Sequence, residues 1–183
     1  MKLRNCYKAV FQNSVSVKSR NKVNNVLCAQ FFVNKDRYVV SAKDIVEIIP
    51  VVPLKKVPML PDYAAGLMNY HGCQVPVIDL CHLLLSRACQ KKLSTRIILM
   101  SRSGSSGKSM MLGCMVEKAT EMITIDENLY NPPVMRNPDA PTNGPIIEYH
   151  GELVTKISIE DVFDKLDKVF FQKSEIFGGE TIP

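Results

Sequence analysis

The 183-residue chain has no tryptophan, three histidines, and no acidic residue before Asp36. Without Trp, and with no aromatic ladder on any one strand, it lacks the stacking platform on which single-stranded nucleic acids are held. No apolar run approaches the roughly 18 residues a membrane helix needs; the best, 48–54, is broken by Pro50 and Pro53. A secretory leader is not expected either, because the apolar stretch 9–17 is diluted by Gln12, Asn13, Ser14 and Ser16. Six cysteines stand at 6, 28, 73, 81, 89 and 114 without one Cys-x-x-Cys step. That pattern excludes zinc-ribbon and thioredoxin-like motifs and reads as a pool of reduced thiols, with no metal site expected at Cys73, Cys81, His82 and Cys89.

The composition itself is globular, 46% hydrophobic and 22% charged, and suffices for one sizeable core. The net charge of +5 is unevenly placed. Lys2, Arg4, Lys8, Lys18, Arg20, Lys22 and Lys35 all precede Asp36, leaving 16 basic against 18 acidic residues in the rest. Residues 1–25 are therefore expected to be a basic, polar, disordered extension; a loose fit to an organelle transit peptide is the weaker reading.

Beyond it, β-rich segments at 26–33 and 37–40 flank a turn at 34–36. Ser41 opens a short helical segment, and 45–52 runs from its end into a strand interrupted by Pro50. Strands at 64–70 and 73–78 hinge at Gly72, a short helix follows over 79–85, and polar 87–94 is expected on the surface. Strands are expected at 95–100, 110–116 and 117–125, the first two joined by a Gly/Ser loop, and a five-proline loop spans 131–145. A last hairpin over 146–157 leads to an amphipathic helix, capped by Ser158 and running to about Phe171. Short strands with Gly and Pro turns favour a mostly β fold of small barrels.

No catalytic constellation is expected. The segment 104–109 misses phosphate-loop spacing by two residues and precedes a strand, so it reads as a hairpin turn. His71 and Cys73 share one side of a strand, as alternation gives anyway, and define the thiol-enzyme alternative. Glu160, Asp161, Asp164 and Asp167 form a solvated helix face. A basic-armed nucleic-acid-binding β-barrel is the runner-up.

One segment is more specific. Residues 64–81, AAGLMNYHGCQVPVIDLC, resemble the signature of CheW-like domains, in which Asn-Leu-Arg-Gly leads into Pro-Val-Ile-Asp-Leu. Gly66, Asn69, Gly72, Pro76, Val77, Ile78, Asp79 and Leu80 match, and collinear likeness extends over about 28–165. The resemblance implies two small SH3-like five-stranded β-barrels sharing a hydrophobic core, in a domain over 26–172 followed by a tail over 173–183. It also implies an adaptor without catalytic residues, cofactor or small-molecule substrate. Such an adaptor couples the cytoplasmic tips of methyl-accepting chemoreceptors to a CheA-type histidine kinase, in the cytoplasm at receptor arrays on the inner membrane. No nucleic acid is expected as partner. Carried over by position, Ile45, Glu47, Ile48, His71, Gly72 and Met122 are the expected partner contacts, while Gly66, Asn69 and Pro76 shape the signature turn. His71 stands where the family usually has Arg, exchanging a permanent charge for one that titrates near neutrality. Kinases and receiver-linked adaptors carry the same domain, but the chain has no room for their other parts, which favours the stand-alone adaptor.

Overall fold

Both faces of residues 25–33 are apolar, because the strand they form lies between two cores. In the computed structural model, which describes residues 24–103, 109–132 and 144–166, Cys28 enters one buried cluster while Ala29, Phe31 and Val33 enter another. The next strand divides in the same way, Val39 to the first cluster and Val40 to the second. Strand alternation thus makes this layer a wall shared by two hydrophobic interiors.

The described residues form nine strands and two short helices: β1 (Asn25–Val33), β2 (Asp36–Ser41), β3 (Ile45–Pro50), β4 (Ala64–Tyr70), β5 (Cys73–Asp79), α1 (Leu80–Leu85), β6 (Arg96–Ser103), β7 (Ser109–Asp126), β8 (Ile146–Tyr149), β9 (Glu152–Lys156) and α2 (Ile159–Leu166). The expected strands at 110–116 and 117–125 are one strand. Its first part pairs with β6 and β5, its second with β1, so β7 alone joins the sheets. The order is β8-β9-β2-β1-β7 in the first sheet and β4-β5-β7-β6-β3 in the second. These are the two expected five-stranded lobes. Their ladders stop short of closure, the outer strands being tied only by single bridges, Asn131 to Ile146 and Lys55 to Leu67.

The two orders are one pattern used twice with exchanged parts. A hairpin comes first (β1-β2, then β6-β7), and the chain after each hairpin supplies the edge strand of the other sheet. A second hairpin (β4-β5, then β8-β9) docks by a parallel pairing onto the other half's sheet, β5 on β7 and β9 on β2, and runs into a helix. Tyr-His-Gly stands at both tips, 70–72 and 149–151, with positive φ at His71 (49°), Gly72 (85°), His150 (51°) and Gly151 (78°). Two consecutive left-handed residues are what a two-residue turn of matching twist requires. The helix caps correspond as well: the Asp79 carboxylate accepts the His82 N–H at 3.0 Å, and the Ser158 hydroxyl accepts the Asp161 N–H at 3.3 Å.

The larger core gathers Phe31, Val77, Leu99 and Val116 with Ile159, Val162, Phe163 and Leu166 of α2. Full burial of a side chain such as Phe31 or Phe163 contributes about 1.5–3 kcal/mol. The smaller core is Cys28, Val39, Ile125, Ile147 and Val154. One surface expectation fails: within 87–94, Cys89 is 6% exposed, because its N–H is bound to buried Asp79. The basic segment 1–23, the tip 104–108, most of the proline-rich loop (133–143) and the end of the last helix (167–171) lie outside the described residues. The strands flanking 104–108 pair antiparallel from Ser103 with Ser109, a strand-to-strand passage.

Candidate functional site

The second sheet leaves two strand edges open toward each other. β3 pairs only with β6, and β4 pairs with β5 and, through Leu67, with Lys55. Gly66 makes that bridge possible: its φ is 141°, and a Cβ there would stand 2.6 Å from the Lys55 carbonyl oxygen. At the far end of the gap the Tyr70 hydroxyl donates to the Glu47 carboxylate at 2.7 Å, tying the hairpin tip to β3. That bond, with some desolvation and the charge of Glu47, raises the phenol's pKa further above its ordinary value, so Tyr70 remains a donor at neutral pH.

Around this tie lie five of the six expected contact residues. Ile45 and Ile48 are half-buried and pack on the main core, whereas Glu47 is exposed. His71 and Gly72 form the exposed tip, where the Asn69 side-chain oxygen accepts the Gly72 N–H at 2.9 Å. Of the three residues assigned to the turn, Asn69 acts on it directly, while Gly66 and Pro76 lie inside β4 and β5. Pro76 faces Leu67, whose N–H and C=O turn away to Lys55. The proline's missing donor therefore falls where β4 requires none. His71 and Cys73 flank Gly72 on this exposed tip; the histidine ring meets the Tyr70 ring edge-on at 4.4 Å.

Met122 is in the other sheet, yet at the matching place. Aligning the Tyr-His-Gly tips makes Lys156, paired with Val39, the counterpart of Val77, paired with Gly113. Gln30 opposite Val39 then corresponds to Leu99 opposite Gly113. Glu121 opposite Gln30 accordingly corresponds to Glu47 opposite Leu99, and Met122 to Ile48. Met122 is 47% exposed and diagonal to Leu27, 50% exposed. Tyr70, Val46 (44% exposed) and Leu27 lie beside these residues and were not among the expected contacts. The repeated Tyr-His-Gly was the available signal for Tyr70.

The cysteines also differ from expectation. Asp79, Cys81 and Cys89 are all buried, and their ligand-type atoms lie within 4.8 Å of one another. The eight-residue separation is closed by the loop after α1, where Ser86 adopts a left-handed cap and the chain returns so that the Cys89 N–H donates to Asp79 Oδ2 at 2.9 Å. The Cys89 thiol donates to the Met115 carbonyl at 3.4 Å. Its hydrogen bond with Cys81, its burial and nearby Asp79 push its pKa up, and burial does the same at Cys114. As free thiols these two stay protonated and are poor nucleophiles. Cys73 is exposed and belongs to the hairpin tip.

Among the described residues no helix is long and apolar enough to cross a membrane. No curated protein matches the chain. The crystal structure of the scaffolding protein TtCheW from Thermoanaerobacter tengcongensis superposes with a TM-score of 0.64 at 23% identity, covering 81% of this chain and 91% of that one, and is alike in fold. The family model for the CheW-like domain matches residues 28–167, spanning both sheets and both helices. The chain belongs to the CheW-like domain family.

Proposed function

We propose that this protein is a non-catalytic adaptor that couples chemoreceptor tips to a CheA-type histidine kinase in a chemosensory pathway, working in the cytoplasm at receptor arrays. The observation that carries the reading is the family match over 28–167, which takes in all of both sheets but the first three residues of β1. The geometry supplies a physical means. An adaptor needs two separate surfaces with a few apolar anchors each, and no reacting group. The edges of β3 and β4, with Val46, Glu47, Ile48 and the His71–Gly72 tip, form one. Edge strands offer unpaired backbone groups to a partner strand, and the Glu47–Tyr70 bond fixes the tip beside them. Leu27 and Met122 on the first sheet form the other, an apolar pair suited to one face of a helix.

The test is capture of a purified CheA-type kinase and of a receptor cytoplasmic fragment by the purified protein. Binding to both is expected. Failure of a folded preparation to bind either one overturns the proposal.

A further inference from the structure

Asp79, Cys81 and Cys89 have a second property that their structural duties do not use. Two sulfurs and one carboxylate oxygen converge within 4.8 Å, all three residues being buried. We propose that they form a binding site for a thiophilic divalent cation of the zinc class, with Cys81 Sγ, Cys89 Sγ and one Asp79 oxygen as ligands.

Three observations support this. The spacing is near what tetrahedral coordination needs: with zinc–sulfur bonds of about 2.3 Å and zinc–oxygen bonds of about 2.0–2.2 Å, ligand atoms stand just under 4 Å apart. The carboxylate is already oriented, Oδ1 by the His82 N–H and Oδ2 by the Cys89 N–H. Each oxygen keeps a lone pair, and such outer bonds hold a ligand in position. Finally, there is a way in. A cavity of about 300 Å³ is bordered by Asp79 and Cys89 and by Lys56, His82, Lys91 and Met115, with room for water as fourth ligand. Binding breaks two S–H bonds and forms two metal–sulfur bonds; both protons pass to solvent, so two thiolates and the carboxylate surround the dication with no change of oxidation state. A mixed sulfur-oxygen set with an open fourth position selects zinc or cobalt(II) over magnesium or calcium.

The experiment titrates the reduced full-length protein with cobalt(II) and follows the thiolate-to-cobalt charge-transfer absorption. One equivalent is expected to develop the band, zinc to abolish it by displacement, and Cys73→Ser to leave it intact. Cys81→Ser and Cys89→Ser should each remove it. No band in the wild-type protein, or a band that survives both substitutions, overturns the assignment. Should either variant fail to fold, crystals of the wild-type protein grown with zinc decide the matter by anomalous scattering. A peak bonded to Cys81 and Cys89 sulfur upholds the site, and its absence there overturns it.

Discussion

The two halves share a plan and differ in how tightly each is built. At the foot of the second hairpin strand, the earlier half uses Asp79, buried and bonded to two backbone N–H groups; the later half uses Ser158, half-exposed and bonded to one. Where a single bridge draws the outer strands together, the second sheet needs Gly66 against the Lys55 carbonyl, and the first has Pro145 at the corresponding place, with Gly144 beside it against the Lys156 carbonyl. The acidic positions match, but Glu47 ties down the hairpin tip through Tyr70, whereas Glu121 accepts from Gln30 at 3.0 Å within its own sheet. Both copies keep a close backbone approach beside the bridge, while the helix cap and the acidic tie are stricter in the earlier one. The second sheet, which holds the Asp79 cap and the Glu47–Tyr70 tie, also carries five of the six expected contact residues.

The sharpest contrast is expected between a glycine at a bridge and one at a hairpin tip. Gly66→Ala sets a Cβ against backbone at 2.6 Å in a conformation that L residues rarely adopt, and should cost about 4 kcal/mol from strain and overpacking together. Gly151→Ala, at φ 78° with open space around it, should cost about 1 kcal/mol. Denaturant midpoints measure both, and equal costs would break the contrast. The caps come next. Asp79→Ala strands the buried Cys89 N–H as well as the first turn of α1, for about 3 kcal/mol, against about 1 kcal/mol for Ser158→Ala in the same assay.

The pH response separates a braced carboxylate from an exposed one. Burial alone would raise the pKa of Glu117, but two hydrogen bonds from Arg87, at 3.0 and 3.2 Å, and the Gln90 N–H hold it below the ordinary glutamate value. A lowered folded-state pKa stabilises above the unfolded-state value, near 4.3, and that contribution is lost as pH falls through the lowered value. Glu117→Gln should therefore flatten the stability profile below about pH 4.3. Glu152, 59% exposed in its pair with Arg37, should alter it little when changed to Gln. Acid titrations of both variants followed by circular dichroism test this. Smallest in stability is Tyr70→Phe, under about 1 kcal/mol because the bond is exposed. It should nonetheless weaken partner binding, while Tyr149→Phe leaves binding unchanged. Binding isotherms with the kinase separate the two.

Most of the fold was legible because strand alternation and turn chemistry are local. Val26–Val33, the Gly72 hinge and the Ser158 cap all lie where apolar spacing and turn residues put them. The rest depends on distance along the chain. Nothing local says that β7 passes between sheets, or that each second hairpin docks on the other half. Cys89 reads as surface because its neighbours are polar, and only the second oxygen of Asp79, ten residues earlier, draws it inside. The proposed contact residues came from family likeness; Tyr70 stood among them unnoticed because its bond depends on reaching Glu47 across the gap between β3 and β4.

The proposed coupling role is tested most directly by co-sedimenting a CheA-type kinase with receptor-bearing membranes, with and without this protein. The kinase is expected to pellet only when the protein is present, and Val46→Asp with Glu47→Lys to abolish recruitment while the variant stays folded. Kinase that pellets equally without the protein, or never pellets with it, would overturn the coupling role.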